Sequence, residues 1–233
     1  MKLRKTTHPI SLAGQSPFAS GGFRDIYVHP GHPDRCIKVW REGRSPKELK
    51  ANKPLLRRWR KLRRSYDENY LDFYCMKRIE RLQDDSVWTF IPRCHGYLET
   101  DRGRGLVVDL VRDHDGLISR SLFDYLWETG DPAPFQPALT EFAEFWKTHT
   151  IPNRKLALFN LAAQEYEPGK YRLQLIDGFL KKPVYSLVRL SHRYALGKSQ
   201  RQIKDMYRYI DKALKAREEN KLPGELGFLK SRT

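Results

Sequence analysis

The sequence predicts an α+β protein of two lobes: an antiparallel N-terminal sheet, then a reduced, mainly helical C-terminal lobe. Three observations lead there. Short alternating runs parted by Gly, Pro and Asp turns dominate the first half, apolar residues at helical spacing dominate the second, and one alternating hairpin interrupts the helices. The 233 residues leave room for two small lobes that share a real core. The expected division is residues 1–111, strands plus one helical region, and residues 112–233, helices with a hairpin and a basic tail helix.

Taken in order, Pro9 to Ala19 and Arg24 to His29 read as strands joined by a turn at Ser20 to Gly22. "HPGHPDR" reads as a turn and "CIKVW" as a short buried strand. Lys47 to Leu82 is mostly helical in pattern, interrupted near Pro54, where a residue without an N–H breaks the ladder. A strand is expected around His95 to Glu99, a tight turn at Asp101 to Gly105, and a strand from Leu106 to Val111. Ser119 or Ser121 caps the next helix and Gly130 ends it. Leu139, Phe142, Ala143 and Trp146 share one side of a short amphipathic helix. "LALFNLAAQEYEPGKYRLQLIDGF" alternates, turns at Glu167 to Lys170 and alternates again, a hairpin ending at Asp177. Ser199 to Asn220 reads as one basic helix with Ile203, Met206, Tyr207, Ile210 and Leu214 as its apolar stripe.

Composition sets limits on function. A hydrophobic content of 39% with 12% aromatics belongs to a folded chain. Cys36, Cys75 and Cys94 share no close spacing and are odd in number, which points to reduced thiols in a cytoplasmic protein. "MKLRKTTHPISLAG" has no apolar core of a signal peptide, and no run approaches the ~18 apolar residues of a membrane span. The net charge of +16 is the outlier. It favours polyanionic partners: nucleic acid, an anionic membrane face, or phosphorylated sugars and lipids. The charge gathers from Lys53 to Tyr66 and from Arg189 to Lys221, where solvated helix faces would account for it equally well. The arginine-and-tryptophan run carries no recognised RNA-binding module, which leaves nucleic acid a minor partner. "GKS" at Gly197 to Ser199 is not a P-loop, because His192 stands where the first Gly would be and no strand precedes it.

The residues that could carry chemistry follow an order. Gly21 and Gly22 precede a strand, and glycine lets backbone N–H groups approach phosphate oxygens. Lys38 lies on the next strand, where it can meet phosphate as a point charge. Carboxylates follow on a helix, and Asn160 and Asp177 bracket the hairpin as hard oxygen donors suited to Mg²⁺. Singly, each has a plainer explanation: a lysine that snorkels, a satisfied hairpin Asn, a turn Asp. Their joint occurrence in this order points to a nucleotide site.

That order resembles the protein-kinase-like fold, with "SGGFRDIYVHP" as the glycine-rich loop, "CIKV" as the lysine motif, "LVVDLV" as the hinge, "KLALFN" as the catalytic loop and "IDGF" in place of Asp-Phe-Gly. More narrowly, "QSPFASGGFRDIYVHP", "RCIKVW" and "IPRCHGYLETDRGRGLVVDLVRDHDG" resemble the YrbL family, PhoP regulatory network proteins of Gram-negative bacteria, over roughly Ile10 to Phe179. The resemblance implies that ATP and Mg²⁺ are bound, with Gly21 and Gly22 as phosphate loop and Lys38 as phosphate lysine. It makes Asn160 and Asp177 the metal ligands and the backbone of Asp109, Leu110 and Val111 the adenine contacts. The partner of Lys38 is Glu68 or Asp72, one helical turn apart; the family spacing suits Asp72, but the longer reach makes Glu68 the expected partner. Related bacterial proteins phosphorylate sugars of the lipopolysaccharide core, so an envelope glycan or lipid at the inner membrane surface is one expected target.

One position departs from the pattern. Where kinases place a catalytic Asp, five residues before the metal-binding Asn, this chain has Lys155. Three readings stand: an atypical phosphotransferase in which Lys155 contacts phosphate or a carboxylate from elsewhere serves as base, a pseudokinase regulator that binds nucleotide without transfer, and a basic scaffold for a polyanion.

Overall fold

The computed structural model describes residues 9–46, 48, 67–149, 151, 153–179, 192–221, 228–229 and 231–232. The expected break near Pro54 and the basic cluster from Lys53 to Tyr66 lie outside these residues.

Eight strands are formed among the described residues: β1 (Ala19–Ser20), β2 (Arg24–His29), β3 (His32–Trp40), β4 (Cys94–Thr100), β5 (Gly103–Asp109), β6 (Leu161–Glu167), β7 (Lys170–Leu175) and β8 (Phe228–Leu229). Helices α1 (Glu68–Leu82), α2 (Leu122–Thr129), α3 (Gln136–Thr148) and α4 (His192–Glu218) complete the fold. Six strands make one antiparallel sheet in the order β4-β5-β3-β2-β1-β8, and β6 and β7 form a separate hairpin.

Strand alternation decides what faces the site. In the β2–β3 hairpin Tyr27 pairs with Ile37 and Ile26 with Lys38. Tyr27, Ile37 and Val39 go to one face, where they bury Leu12 in a small cluster of their own. Because side chains alternate with period two, Arg24, Ile26, Cys36 and Lys38 must all go to the other. Cys36 there joins the main core with Leu106 and Val108 of β5. Beneath that face lies α1, capped by Asp67, whose side chain accepts from the Tyr70 N–H. It buries Leu71, Cys75, Met76 and Ile79, and Asp72 goes in with them.

In the helical part the Ser121 and Asp124 side chains close a capping box at the start of α2, and Gly130 ends it at φ 72°. Ser121 is therefore the cap; Ser119 instead donates its hydroxyl to buried Asp113 at 2.5 Å. Helix α3 buries Leu139, Phe142, Ala143 and Trp146 as expected, and α4 packs on α2 and α3. The buried stripe of α4 is Ile203, Met206, Ile210 and Ala213; Tyr207, one residue past Met206, has turned out of that face and is exposed. The helix also starts before Ser199, at His192.

Two expected elements differ. Residues 9–19 are not a strand: the Asp101 carboxylate accepts the Leu12 and Ala13 N–H groups at 2.9 Å, and Gly14 turns the chain at φ 79°. Only Ile10, bridged to Thr100, and the short β1 pair with other strands. The turn expected over "HPGHPDR" shrinks to Pro30 and Gly31, because β3 already begins at His32. An unexpected element is β8, which pairs with β1; just beyond it Arg232 reaches the buried Asp113 and the Ile118 carbonyl. The result is a two-lobed α+β arrangement with a cleft between sheet and helices. Among the described residues no helix is long and apolar enough to cross a membrane.

Candidate functional site

The cleft has a volume of about 400 Å³ and meets every residue singled out for phosphate, metal or adenine binding. Ile26, Cys36, Val108, Leu110 and Ile118 provide apolar lining. The charged lining is built from β2, β3, α1 and the two ends of the β6–β7 hairpin.

Lys38 is only 3% exposed. Its Nζ donates to the Ile176 carbonyl at 2.7 Å and lies 3.8 Å from Asp72 Oδ2. The main chain around it is held by Asn69, whose Nδ2 donates to the Lys38 carbonyl at 3.0 Å. Asp72, and not Glu68, is thus the carboxylate beside Lys38. Glu68, one turn nearer the mouth of the cleft, instead comes within 3.7 Å of Arg24 Nε. The physical reason is depth: Asp72 is buried under the sheet, so a short side chain suffices, whereas the longer Glu68 remains partly exposed.

Arg24, to which the sequence reading assigns no role, is the centre of this network. Its Nη1 donates to Asp72 Oδ2 at 2.7 Å and to Asn69 Oδ1 at 3.0 Å, and its Nη2 donates to Asp177 Oδ2 at 2.7 Å. The signal was present in the hairpin: with Ile26 opposite Lys38, alternation puts Arg24 on the same face, aimed into the cleft. Burial opposes the charge on all these groups, and mutual attraction answers it to different extents. Desolvation disfavours the Arg24 cation, yet Asp177, Asp72 and Glu68 raise its pKa well above the ordinary value. For Asp177 burial likewise opposes the charged form, but Arg24 and Lys38 hold the carboxyl well below the usual carboxylate range. Asp72 goes the other way: burial dominates and raises its pKa despite Arg24 and Lys38.

Asn160 and Asp177 are brought together as the hairpin predicts, since Leu161 pairs with Leu175 and the Ile176 N–H donates to the Asn160 carbonyl at 2.9 Å. Gly178 sits at φ 92°, and a Cβ there would come within 2.8 Å of Asn160 Nδ2. These residues do not fit Mg²⁺ in this arrangement. Asp177 Oδ1 accepts from the Gly178 N–H at 2.6 Å and Oδ2 from Arg24 at 2.7 Å, so a divalent cation on this carboxylate would sit against the guanidinium's positive charge.

The remaining expected contacts are partly committed. The Leu110 N–H donates to the Asp34 carbonyl at 2.8 Å, which removes it as an adenine contact. The Asp109 carbonyl lies 3.9 Å from the Cys36 thiol, and the Val111 N–H makes no turn, loop or cap bond among the described residues. Gly21 donates its N–H to the Arg24 carbonyl at 2.8 Å, so this amide closes the turn and does not face phosphate. A Cβ on Gly22 would meet open space. Lys155 is exposed on the cleft wall with Arg154 beside it, its Nζ 6.0 Å from the rings of Phe159 and Tyr209. No described group of three or more His, Cys, Asp and Glu side chains is arranged to hold a metal.

These parts follow one another along the chain as glycine turn, lysine strand, carboxylate helix, strand pair and Asn/Asp hairpin. The sequence model described as "PhoP regulatory network protein YrbL" matches residues 10–211. The chain belongs to the YrbL family. Similar curated relatives in the family are "Uncharacterized protein YrbL" of Escherichia coli (strain K12) and of Shigella flexneri. Each is 35% identical over 118 residues, 50% of this chain, and the match spans 46% of the relative's length. Among solved structures the YrbL-family chain is similar to Rad53 1-466 in complex with AMP-PNP, with TM-score 0.49 and 10% identity, over 89% of this chain and 52% of that one. It is also similar to the Mycobacterium tuberculosis PknI kinase domain, with TM-score 0.39 and 17% identity, over 70% of this chain and 58% of that one.

Proposed function

We propose that this YrbL-family protein binds an adenine nucleotide in the cleft and acts as a nucleotide-responsive regulator without phosphoryl transfer. The observation that carries the binding is the convergence of Lys38, Asp72, Asn160 and Asp177, remote in sequence, on one apolar-lined cleft beside the Val111 N–H, which makes no turn, loop or cap bond among the described residues. Apolar walls with a few fixed polar groups are the usual make-up of a small-molecule site. Against transfer stands Lys155, a cation where an attacking hydroxyl would need a base.

Thermal unfolding with and without ATP tests the binding. A ligand that binds only the folded state stabilises it by RT ln(1 + [L]/Kd), so ATP should raise Tm in a saturable way. No shift at millimolar ATP would reject the nucleotide site. A second reading, atypical transfer to an envelope glycan or lipid, draws support from the exposed Arg154 and Lys155, whose charge would stabilise a phosphoryl group in flight. Turnover of ATP that is abolished in Asp177→Ala would favour it over the regulator.

A further inference from the structure

We propose that the nucleotide is bound without a divalent cation, its phosphates neutralised by Arg24, Lys38 and Lys155. The proposal rests on the nucleotide reading above and adds how the charge is balanced. The first ground is the place of Arg24. The residue is 4% exposed, and its guanidinium is held by Asn69, Asp72, Asp177 and, more loosely, Glu68. An arginine with partners on α1 and beyond the β6–β7 hairpin is not a surface side chain that wandered in. It sets a positive charge 2.7 Å from Asp177 Oδ2, which opposes a second cation on that carboxylate.

The second ground is charge. Arg24, Lys38, Arg154 and Lys155 line the cleft with Glu68, Asp72, Asp109, Asp124 and Asp177, four cations against five carboxylates. Asp109 and Asp124 are held by the Arg93 N–H with His95 and by the α2 capping box, whereas Asp72 and Asp177 are held by Arg24. Without Arg24 and Lys155 two cations would stand against five carboxylates, and the lining would repel a polyphosphate more strongly. Together these two side chains bring the same two positive charges that one divalent cation would bring.

Third, there is an approach for phosphate. The Nε edge of Arg24 is its least engaged, with Glu68 at 3.7 Å, and the Glu68 and Asp177 side chains are 30% and 37% exposed. A phosphate oxygen can take that edge while Nη1 stays on Asp72 and Asn69, the forked geometry that suits guanidinium to phosphate.

The experiment measures ATP affinity of the full chain by titration calorimetry, in EDTA and in excess Mg²⁺, supported by thermal shift. Binding in EDTA, with Kd changed less than about 3-fold by Mg²⁺, is expected. Removing a charged hydrogen-bond partner is expected to weaken binding in EDTA roughly 10-fold or more in Lys155→Ala, an exposed site whose truncation spares the fold, and in Arg24→Lys, which keeps the charge but loses the fork. ATP binding that appears only with Mg²⁺ would overturn the metal-free proposal and leave the nucleotide site standing. So would both variants binding ATP in EDTA as tightly as wild type. No binding in either buffer would overturn the nucleotide site itself, and this proposal with it.

Discussion

Replacing Arg24 with alanine should cost this protein more stability than most single substitutions. The guanidinium neutralises Asp72, whose side chain is 4% exposed, and Asp177, whose side chain is 37% exposed. Removing one partner of a buried pair costs about 3–5 kcal/mol, because the other charge is left buried and uncompensated. Asp177 can recover water and Lys38 stands 3.8 Å from Asp72, so the loss belongs at the lower end, about 3 kcal/mol. In a domain of this size that is a fall in Tm of roughly 6–12 °C. The loss should depend on pH with a definite sign. The folded-state pKa of Asp72 is already raised by burial, and removing Arg24 takes away the group that most lowers it. Stability gained by protonating Asp72 in the folded state is present below its unfolded value and is lost as pH rises through the folded value, so the deficit is larger near pH ~7 than near pH ~5. Urea unfolding at both pH values measures this, with Arg24→Ala/Asp72→Asn as the control that removes the stranded charge and recovers part of the loss. A deficit below ~1 kcal/mol, or one that Asp72→Asn leaves untouched, would refute the argument that Arg24 compensates buried charge.

Other positions give independent checks. Gly178→Ala should destabilise by about 1–2 kcal/mol and weaken ATP binding, because an L-residue is strained at φ 92° and its Cβ would push Asn160; unchanged denaturation and Kd would count against it. Gly105→Ala should cost about 1–3 kcal/mol in denaturant unfolding, since its Cβ would run into the Ile37 side chain beneath β3. Arg232→Ala should cost about 1–3 kcal/mol, as Asp113 is buried and among the described residues keeps Ser119 and the Glu165 N–H, and proteolysis near the C-terminal strand should speed up. Lys198 donates to the Asn153 carbonyl at 2.5 Å, and burial pushes its pKa down from 10.5 to about 8. The unfolded chain then binds the extra proton, so the Lys198 contribution to stability rises with pH from about 8 to about 10.5, and the difference between wild type and Lys198→Met should trace that rise.

Much of the fold could be read along the chain, because it rests on local rules. Ser121 and Gly130 bound a helix by capping chemistry, Leu139 to Trp146 repeat at helical spacing, and the turn at Glu167 to Lys170 closes a hairpin whose ends carry Asn160 and Asp177. The segment from Pro9 to Ala19 failed as a strand because a side chain far away, Asp101, takes its backbone N–H groups. No local pattern announces such a contact. The same holds for β8 and Arg232, which return to β1 and Asp113 across most of the chain.

At the site the division is similar. Residue types, their order and the strand alternation put Lys38, Asn160 and Asp177 into one cleft, and the resemblance alone points to Lys155 as the departure. Only the tertiary structure decided which carboxylate Lys38 meets and what Asp177 holds. Burial depth along α1 chose Asp72 over Glu68, and the face of β2 delivered Arg24 to Asp177. Alternation along a strand gives a side chain its direction; its partner is settled by distance and desolvation, which arise when separate elements pack.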